Sequence, residues 1–214
     1  MIHRRLLRHC LIFLLIETIT LAGEVRAQSS IEIYGLVDVS LKYVNNFGGG
    51  SRVGQDSGDQ QGPKLGFQGS ESLGSGARAL FVLENGINLD TGGFAQGGVP
   101  FGRQAFMGLS SATLGALTVG RQYDFMVELG AFHGVQQGTG TLDWNVGDND
   151  RVSGQRLDNS LKYVFKTNNL SAGALYSVRE TSGAARTPGA TSFLVKYSAK
   201  GWSMAAAEIG RAHV

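Results

Sequence analysis

The sequence predicts an all-β protein whose antiparallel strands cross a membrane as a β-barrel. Three observations predict this fold: strands with one apolar and one polar face, connections of two alternating lengths, and the lack of a long apolar run. The 214 residues include 32 glycines and only 3 prolines, and 17% of the residues are charged. A spanning helix needs about 20 consecutive, mostly apolar residues. The composition therefore excludes a helical membrane protein.

Residues 1–27 are expected to be a secretory signal peptide. A basic segment with Arg4, Arg5 and Arg8 precedes the apolar run "LIFLLI", and "VRAQ" offers a small-residue cleavage site after Ala27. A short anchor helix is the alternative interpretation of this segment. The exported, mature chain would then begin at Gln28.

Removal of the signal peptide changes the charge balance of the chain. Of 19 Lys and Arg residues four lie in residues 1–27, and of 17 Asp and Glu residues two do, which leaves 15 of each sign. A nucleic-acid partner is therefore not predicted, because such a partner selects a basic surface. The single cysteine, Cys10, is also lost, so stability is expected to come from a closed sheet rather than from disulfides.

The first predicted strand, "EIYGLVDVSLKY" at residues 32–43, alternates apolar and polar side chains. Val37, Leu41 and Tyr43 lie on one face, and Glu32 and Lys42 lie on the other. In a soluble sandwich the apolar face would be the core. In a membrane barrel it would face lipid, with the charged face lining water.

The connections between predicted strands decide between these two folds. Short ones at residues 72–76, 112–116, 167–170 and 199–201 alternate strictly with long ones at 45–63, 86–102, 125–156 and 180–190. Antiparallel strands joined in order place every second connection at the same end of the sheet. Short turns at one end and long loops at the other are typical of outer-membrane barrels. We count nine strands.

The later strands repeat this two-faced pattern. The segments "KLGFQGS", "LDNSLKYVFK" and "SFLVKYSAK" keep their charged residues on one face, so Phe165 and Val195 are expected to face lipid. Lys162 is expected to face water and to tolerate replacement by Ser. Aromatic residues near strand ends fit the girdles found at membrane interfaces: Tyr43, Phe165, Tyr197 and Trp202.

Four segments in order resemble the Gram-negative general porins, particularly the beta-proteobacterial type: "IYGLVDVSLKY", "KLGFQGSESLGSGARALFVLENG", "RQAFMGLSSATLGALTVGRQYD" and "RLDNSLKYVF". The resemblance covers residues 28–207, interpreted as the N-terminal part of the barrel. It implies a water-filled barrel of about 16 strands in the outer membrane. It also implies a homotrimer surrounded by outer-membrane lipid and lipopolysaccharide, which passes small hydrophilic solutes and ions without a cofactor.

The C-terminal residues 208–214, "EIGRAHV", depart from the family, whose chains end on a strand with an aromatic residue. The heptapeptide back-translates to GAGATCGGAAGAGCACACGTC, which resembles a short-read sequencing adapter. We therefore expect residues 208–214 to be adapter read-through and the gene to continue. The alternative is that Ile209 extends the strand "WSMAAAE" and that the protein stops early.

The connection at residues 125–156 is in the third long-loop position, which in porins folds inward to form the constriction. The resemblance therefore assigns a constriction with acids in this loop and a basic wall opposite. Arg121 shares its face with Leu117 and Val119, so its place in the lumen requires a β-bulge. The candidate residues are Lys64, Arg103, Arg121, Arg156, Glu128, Asp143, Asp148 and Asp150.

Opposed charges across a narrow aqueous gap orient water and polar solutes, which predicts a sieve rather than an enzyme. The alternative for each candidate residue is that it is a solvated charge of the barrel wall or of a loop, with no role in the constriction. His133 is the only histidine between residues 28 and 207, so a His-rich metal site is not predicted. The alternative function is a small outer-membrane barrel that acts as an adhesin or anchor without an open channel, and a secreted β-sandwich lectin is a third class.

Overall fold

The computed structural model describes residues 29–132, 156–178 and 188–210. The predicted signal peptide, residues 1–27, lies outside the described residues. A short 3-10 turn lies at Gln96–Gly98. The strands and the helix are β1 Ser30–Leu36, β2 Val39–Phe47, β3 Gly50–Ser57, β4 Lys64–Gly74, β5 Ala77–Gly86, β6 Gln104–Ser111, β7 Gly115–Tyr123, α1 Phe125–Phe132, β8 Arg156–Lys166, β9 Leu170–Val178, β10 Pro188–Ala199 and β11 Trp202–Gly210.

Nine strands form one antiparallel sheet in the order β1-β4-β5-β6-β7-β8-β9-β10-β11, and β2 and β3 form a separate hairpin. The all-β antiparallel prediction is confirmed. Strands β4 and β5, β6 and β7, β8 and β9, and β10 and β11 are joined by the four predicted short turns, which therefore share one end of the sheet. Within the described residues, β1 and β11 are the two edges of the sheet.

The prediction of one continuous strand over residues 32–43 is wrong. β1 pairs with β4 and ends at Leu36, whereas β2 pairs with β3, inside the connection expected at residues 45–63. The change of partner occurs at Asp38, whose Oδ2 accepts the backbone N–H groups of Gln60 and Gln61 at 2.7 and 2.6 Å. Asp38 thereby ties the end of β1 to the chain that enters β4, so β2 is free to pair with β3.

The β2–β3 hairpin carries its own ionic contacts on one face. Lys42 Nζ lies 3.2 Å from Asp56 Oδ2 and also binds Asp59, which in addition accepts a hydrogen bond from Ser40. The Lys42 ammonium, followed by the Ser40 hydroxyl, holds the pKa of the Asp59 carboxyl below its usual value. These contacts stabilise the hairpin without a sheet beneath it.

The outward face of the nine-stranded sheet is apolar and uncovered. Val195 on β10 is 53% exposed, and Phe193 and Tyr197 beside it on the same face are also exposed. Tyr197 packs against Trp202 across the short turn, with ring centroids 5.3 Å apart. An exposed apolar band with aromatic residues at the strand ends is the expected lipid-facing surface.

The inward face is polar over most of the sheet but has an apolar core at one side. There α1 packs on β10 and β11. The core residues are Phe125, Leu157, Leu175, Ala190 and Leu194. In the described ranges, the structure contains no helix that is long and apolar enough to cross a membrane.

Candidate constriction site

Four of the predicted cations lie close together at the long-connection end of the sheet. Lys64 begins β4, Arg103 precedes β6, Arg121 lies near the end of β7, and Arg156 begins β8. We call these four residues the basic cluster. In an antiparallel sheet, one strand ends where its neighbour begins. Residues that are distant in sequence therefore become adjacent at this end of the sheet.

Glu84 on β5 is the acidic partner of this cluster. It is only 2% exposed, and its Oε1 accepts a hydrogen bond from Arg103 Nε at 2.7 Å. Its Oε2 accepts the Tyr34 hydroxyl at 2.9 Å and lies 3.8 Å from Lys64 Nζ. A buried carboxylate is stable only when its oxygens are paired in this way.

Tyr34 fits against the wall because its neighbour on β4 is a glycine. A Cβ atom added at Gly66 would lie 2.3 Å from Tyr34 Cζ, which is far inside van der Waals contact. The ring therefore lies on the sheet backbone and directs its hydroxyl towards Glu84.

Tyr123 holds two of the arginines together. Its hydroxyl oxygen accepts hydrogen bonds from Arg103 Nη2 at 3.0 Å and from Arg156 Nη2 at 2.8 Å. The Arg156 guanidinium also stacks 4.6 Å from the centroid of the Tyr123 ring, a cation–π contact. Arg156 Nε donates to the backbone oxygen of Arg103 at 3.0 Å. Within the described residues Arg156 forms no ion pair.

The pairing of β7 with β8 is irregular beside Arg121, but the extra residue lies on β8, and Arg121 stays in regular register opposite Ala105 of β6. The pairing of β7 with β8 shifts between Gly120 and Gln122, and Asn159 on β8 adopts a positive φ of 49°. Arg121 Nε donates to the backbone oxygen of Gly102 at 2.8 Å, and Nη1 lies 2.5 Å from Asp158 Oδ1. The contact with Gly102 places the Arg121 guanidinium at the same end of the sheet as Arg103.

The charges of the site are unequal. The four cations of the basic cluster meet two carboxylates, Glu84 and Asp158, in the described residues. Among the described residues, this end of the sheet therefore carries more positive than negative charge, and the side-chain partners of Arg156 are neutral.

The predicted loop acids divide into two groups. Glu128 lies on α1, where it binds Lys162 at 2.5 Å and Lys196 at 3.7 Å rather than the basic cluster. Asp143, Asp148 and Asp150 lie outside the described residues. The first turns of the 125–156 segment thus form a helix on the inner face, where the sequence predicted a loop.

Sequence reasoning missed Tyr34, Glu84 and Tyr123. Glu84 carried a usable signal, because it places a charge on the face of β5 that also carries Val82. Its neighbour on β4, Gly66, leaves room for a side chain there. The tyrosines carried none, since an aromatic residue is common at any strand end. In the part of the chain that the structure describes, no group of three potential metal-ligating side chains occurs.

An apolar outer face, a charged inner face and a helix on that inner face define the wall of a porin-type outer-membrane β-barrel. The sequence comparison gives the family: the Gram-negative porin family matches residues 14–210, and the chain belongs to it. The predicted family is confirmed. Because porins are channels, the prediction that the chain is not an enzyme is also confirmed.

Related proteins come from several Gram-negative bacteria. An outer membrane porin protein of Bordetella pertussis is 37% identical over 119 residues, which is 47% of this chain and 30% of that protein. Outer membrane porin protein 32 of Delftia acidovorans is 30% identical over 178 residues, or 78% of this chain and 50% of that protein.

Solved structures show the same fold. The anion-selective porin from Comamonas acidovorans matches with a TM-score of 0.68 and 26% identity, over 86% of this chain and 58% of that one. OmpF of Salmonella typhi, in complex with daunomycin, matches with a TM-score of 0.61 and 17% identity, over 84% and 53%. The chain thus spans between about a third and three fifths of the length of these proteins.

Proposed function

We propose that this chain supplies one wall of a water-filled outer-membrane channel for passive diffusion of small hydrophilic solutes. The basic cluster lines its constriction and gives the channel a preference for anions. The single observation that carries the proposal is the convergence of Lys64, Arg103, Arg121 and Arg156 at one end of the sheet, with fewer carboxylates than cations among the described residues.

The chemistry of the cluster suits transient contact with anions. Arginine side chains that bind tyrosine hydroxyls and backbone oxygens keep their positive charge while their positions are fixed. A passing anion gains electrostatic attraction from such a wall but loses little on leaving, because water still reaches the groups. The neighbour from Comamonas acidovorans, described as anion-selective, supports the same preference.

The proposal extends to assembly and location. The family and the printed names of its relatives support an outer-membrane location. A solved OmpT of Vibrio cholerae is described as a trimer form, which supports a homotrimer here. Outer-membrane lipid and lipopolysaccharide would then cover the parts of the apolar face that do not contact other subunits.

The charge reversal Arg156→Glu tests the selectivity. In the full-length protein reconstituted in planar bilayers, the zero-current potential under a tenfold KCl gradient is expected to move towards cations. The shift should be on the order of 10 mV, against an ideal limit of about 59 mV. Lys200→Glu is the matched control, because Lys200 is exposed in a short turn at the other end of the sheet and is screened by salt. Equal shifts in both variants would remove Arg156 from the constriction.

A further inference from the structure

Lys162 on β8 is a nearly buried cation that lies outside the basic cluster. It is 8% exposed. Its Nζ contacts the end of β7 and the helix that follows it: the backbone oxygen of Tyr123 at 2.9 Å, Glu128 Oε1 at 2.5 Å and the Phe125 ring centroid at 4.5 Å. A buried ammonium is unfavourable unless such contacts replace its water. The Lys162 ammonium therefore binds these groups of the protein rather than solvent.

Helix α1 depends on the wall for its position. It has eight residues, and isolated helices shorter than about 12 residues are marginal in water. Its first residue, Phe125, lies against the backbone of β9, since a Cβ atom at Gly173 would be 2.2 Å from Phe125 Cζ. Burial of this ring in the core and a hydrogen bond from the Phe125 N–H to Ser192 Oγ at 3.3 Å hold the first turn of the helix on the wall.

The ionic contacts hold the helix three residues further along, at Glu128. Glu128 Oε1 binds Lys162 on β8, and Glu128 Oε2 lies 3.7 Å from Lys196 on β10. Strand β9 separates β8 from β10 in the sheet. The carboxylate therefore bridges two strands and restrains α1 across the strand direction.

We infer that Lys162 is a positioning residue that holds α1 on the inner wall, with Glu128 and Lys196 as its ionic partners. The inference rests on the proposed channel function, because the position of α1 affects solutes only in an open lumen. Lys162 also binds the backbone of Tyr123, whose hydroxyl holds Arg103 and Arg156. The same lysine thus connects the helix to the basic cluster.

The competing interpretation treats Lys162 as one more lumen charge. The two differ in what Lys162→Met does to the helix: loss of a positioning contact releases α1, whereas loss of a lumen charge leaves it in place. Val127 on α1 is a suitable reporter because it is buried. Local opening of a segment exposes its buried groups in proportion to the opening equilibrium.

The experiment measures labelling of Val127→Cys by a membrane-impermeant thiol reagent in the folded, full-length protein. Added to this reporter, Lys162→Met is expected to raise the labelling rate about tenfold or more. Lys162→Arg keeps the charge and donors and should stay within about threefold of the parent. Lys166→Met, four residues along the same face but exposed, is the matched control and should leave the rate unchanged.

The outcomes separate this inference from the proposed function. Unchanged labelling in Lys162→Met, in a protein that still forms channels, overturns the positioning role. Raised labelling in Lys162→Met, together with a parent reporter protein that forms no channels, supports the contact between Lys162 and α1 and overturns the proposed channel function. If Lys162→Met does not fold, Glu128→Gln replaces it, with an expected rise of about threefold, and no rise in that variant also overturns the inference.

Discussion

The sheet has two regions that are built differently, an open wall and a wall covered by α1. The open wall, on β4 to β7 and the first residue of β8, holds the basic cluster by ion pairs and hydrogen bonds to Glu84 and Tyr123. The covered wall, on β8 to β11, packs Leu175 and Leu194 beneath Phe125 of α1. Strands of one sheet therefore contact water where they are open and form an apolar core where α1 covers them.

The difference predicts which substitutions each wall tolerates. Hydrogen bonds and ion pairs fix directions, so the open wall should respond to loss of a single polar atom. Apolar packing fills volume and excludes water, so the covered wall should respond to an added charge. The following predictions test these two sensitivities, beginning with the largest effect.

Leu194→Asp should abolish stable folding. Leu194 is 1% exposed, so the variant loses apolar packing and buries a carboxylate without a partner, at a cost of about 4 kcal/mol or more. The measurement is the heat-modifiable folded band of the full-length protein after refolding in detergent.

Val82→Asp is the matched control for that substitution. Val82 lies on the same inward face but on the open wall, opposite Gln68 of β4 and Phe106 of β6. Its carboxylate should reach water, and the folded band should persist. Equal loss of the folded band in both variants would show that the two walls do not differ.

Much of this arrangement follows from the sequence, and the exceptions have physical causes. Strand faces and alternating connection lengths are local patterns, so they predicted the lipid face and the shared end of the short turns. The break at Asp38 depends on two distant backbone N–H groups, of Gln60 and Gln61. No local pattern contains that information.

Helix α1 was missed for a different reason. Its sequence, "FMVELGAF", is short and almost wholly apolar, so it shows no helical periodicity. A usable signal lay on the strands that the helix covers: Leu175 and Leu194 are large apolar residues on strand faces whose other members are small or polar. Apolar residues at lumen-facing positions indicate that something covers them.

Glu84→Gln should make the channel more anion-selective without unfolding it. The amide keeps the shape of the carboxylate but removes the negative charge between Arg103 and Lys64. Zero-current potentials under a salt gradient should move towards anions, by on the order of a few millivolts because one of several charges changes. Glu71→Gln is the control, since Glu71 is exposed on the opposite face of β4. A shift towards cations in Glu84→Gln would contradict the assigned geometry.

Tyr123→Phe should have the smallest effect and should act on the open wall alone. The substitution removes the acceptor shared by Arg103 and Arg156, at a cost of about 1 kcal/mol, but it keeps the ring on which Arg156 stacks. The midpoint of urea unfolding should fall slightly, and the zero-current potential should become more variable between channels as the two guanidinium groups separate. Tyr176→Phe, on the exposed outward face of β9, should change neither quantity. Tyr123→Phe could instead raise the labelling of Val127→Cys as strongly as Lys162→Met does. That result would show that the Tyr123 hydroxyl also holds α1 in position, and that the open and covered walls do not respond independently.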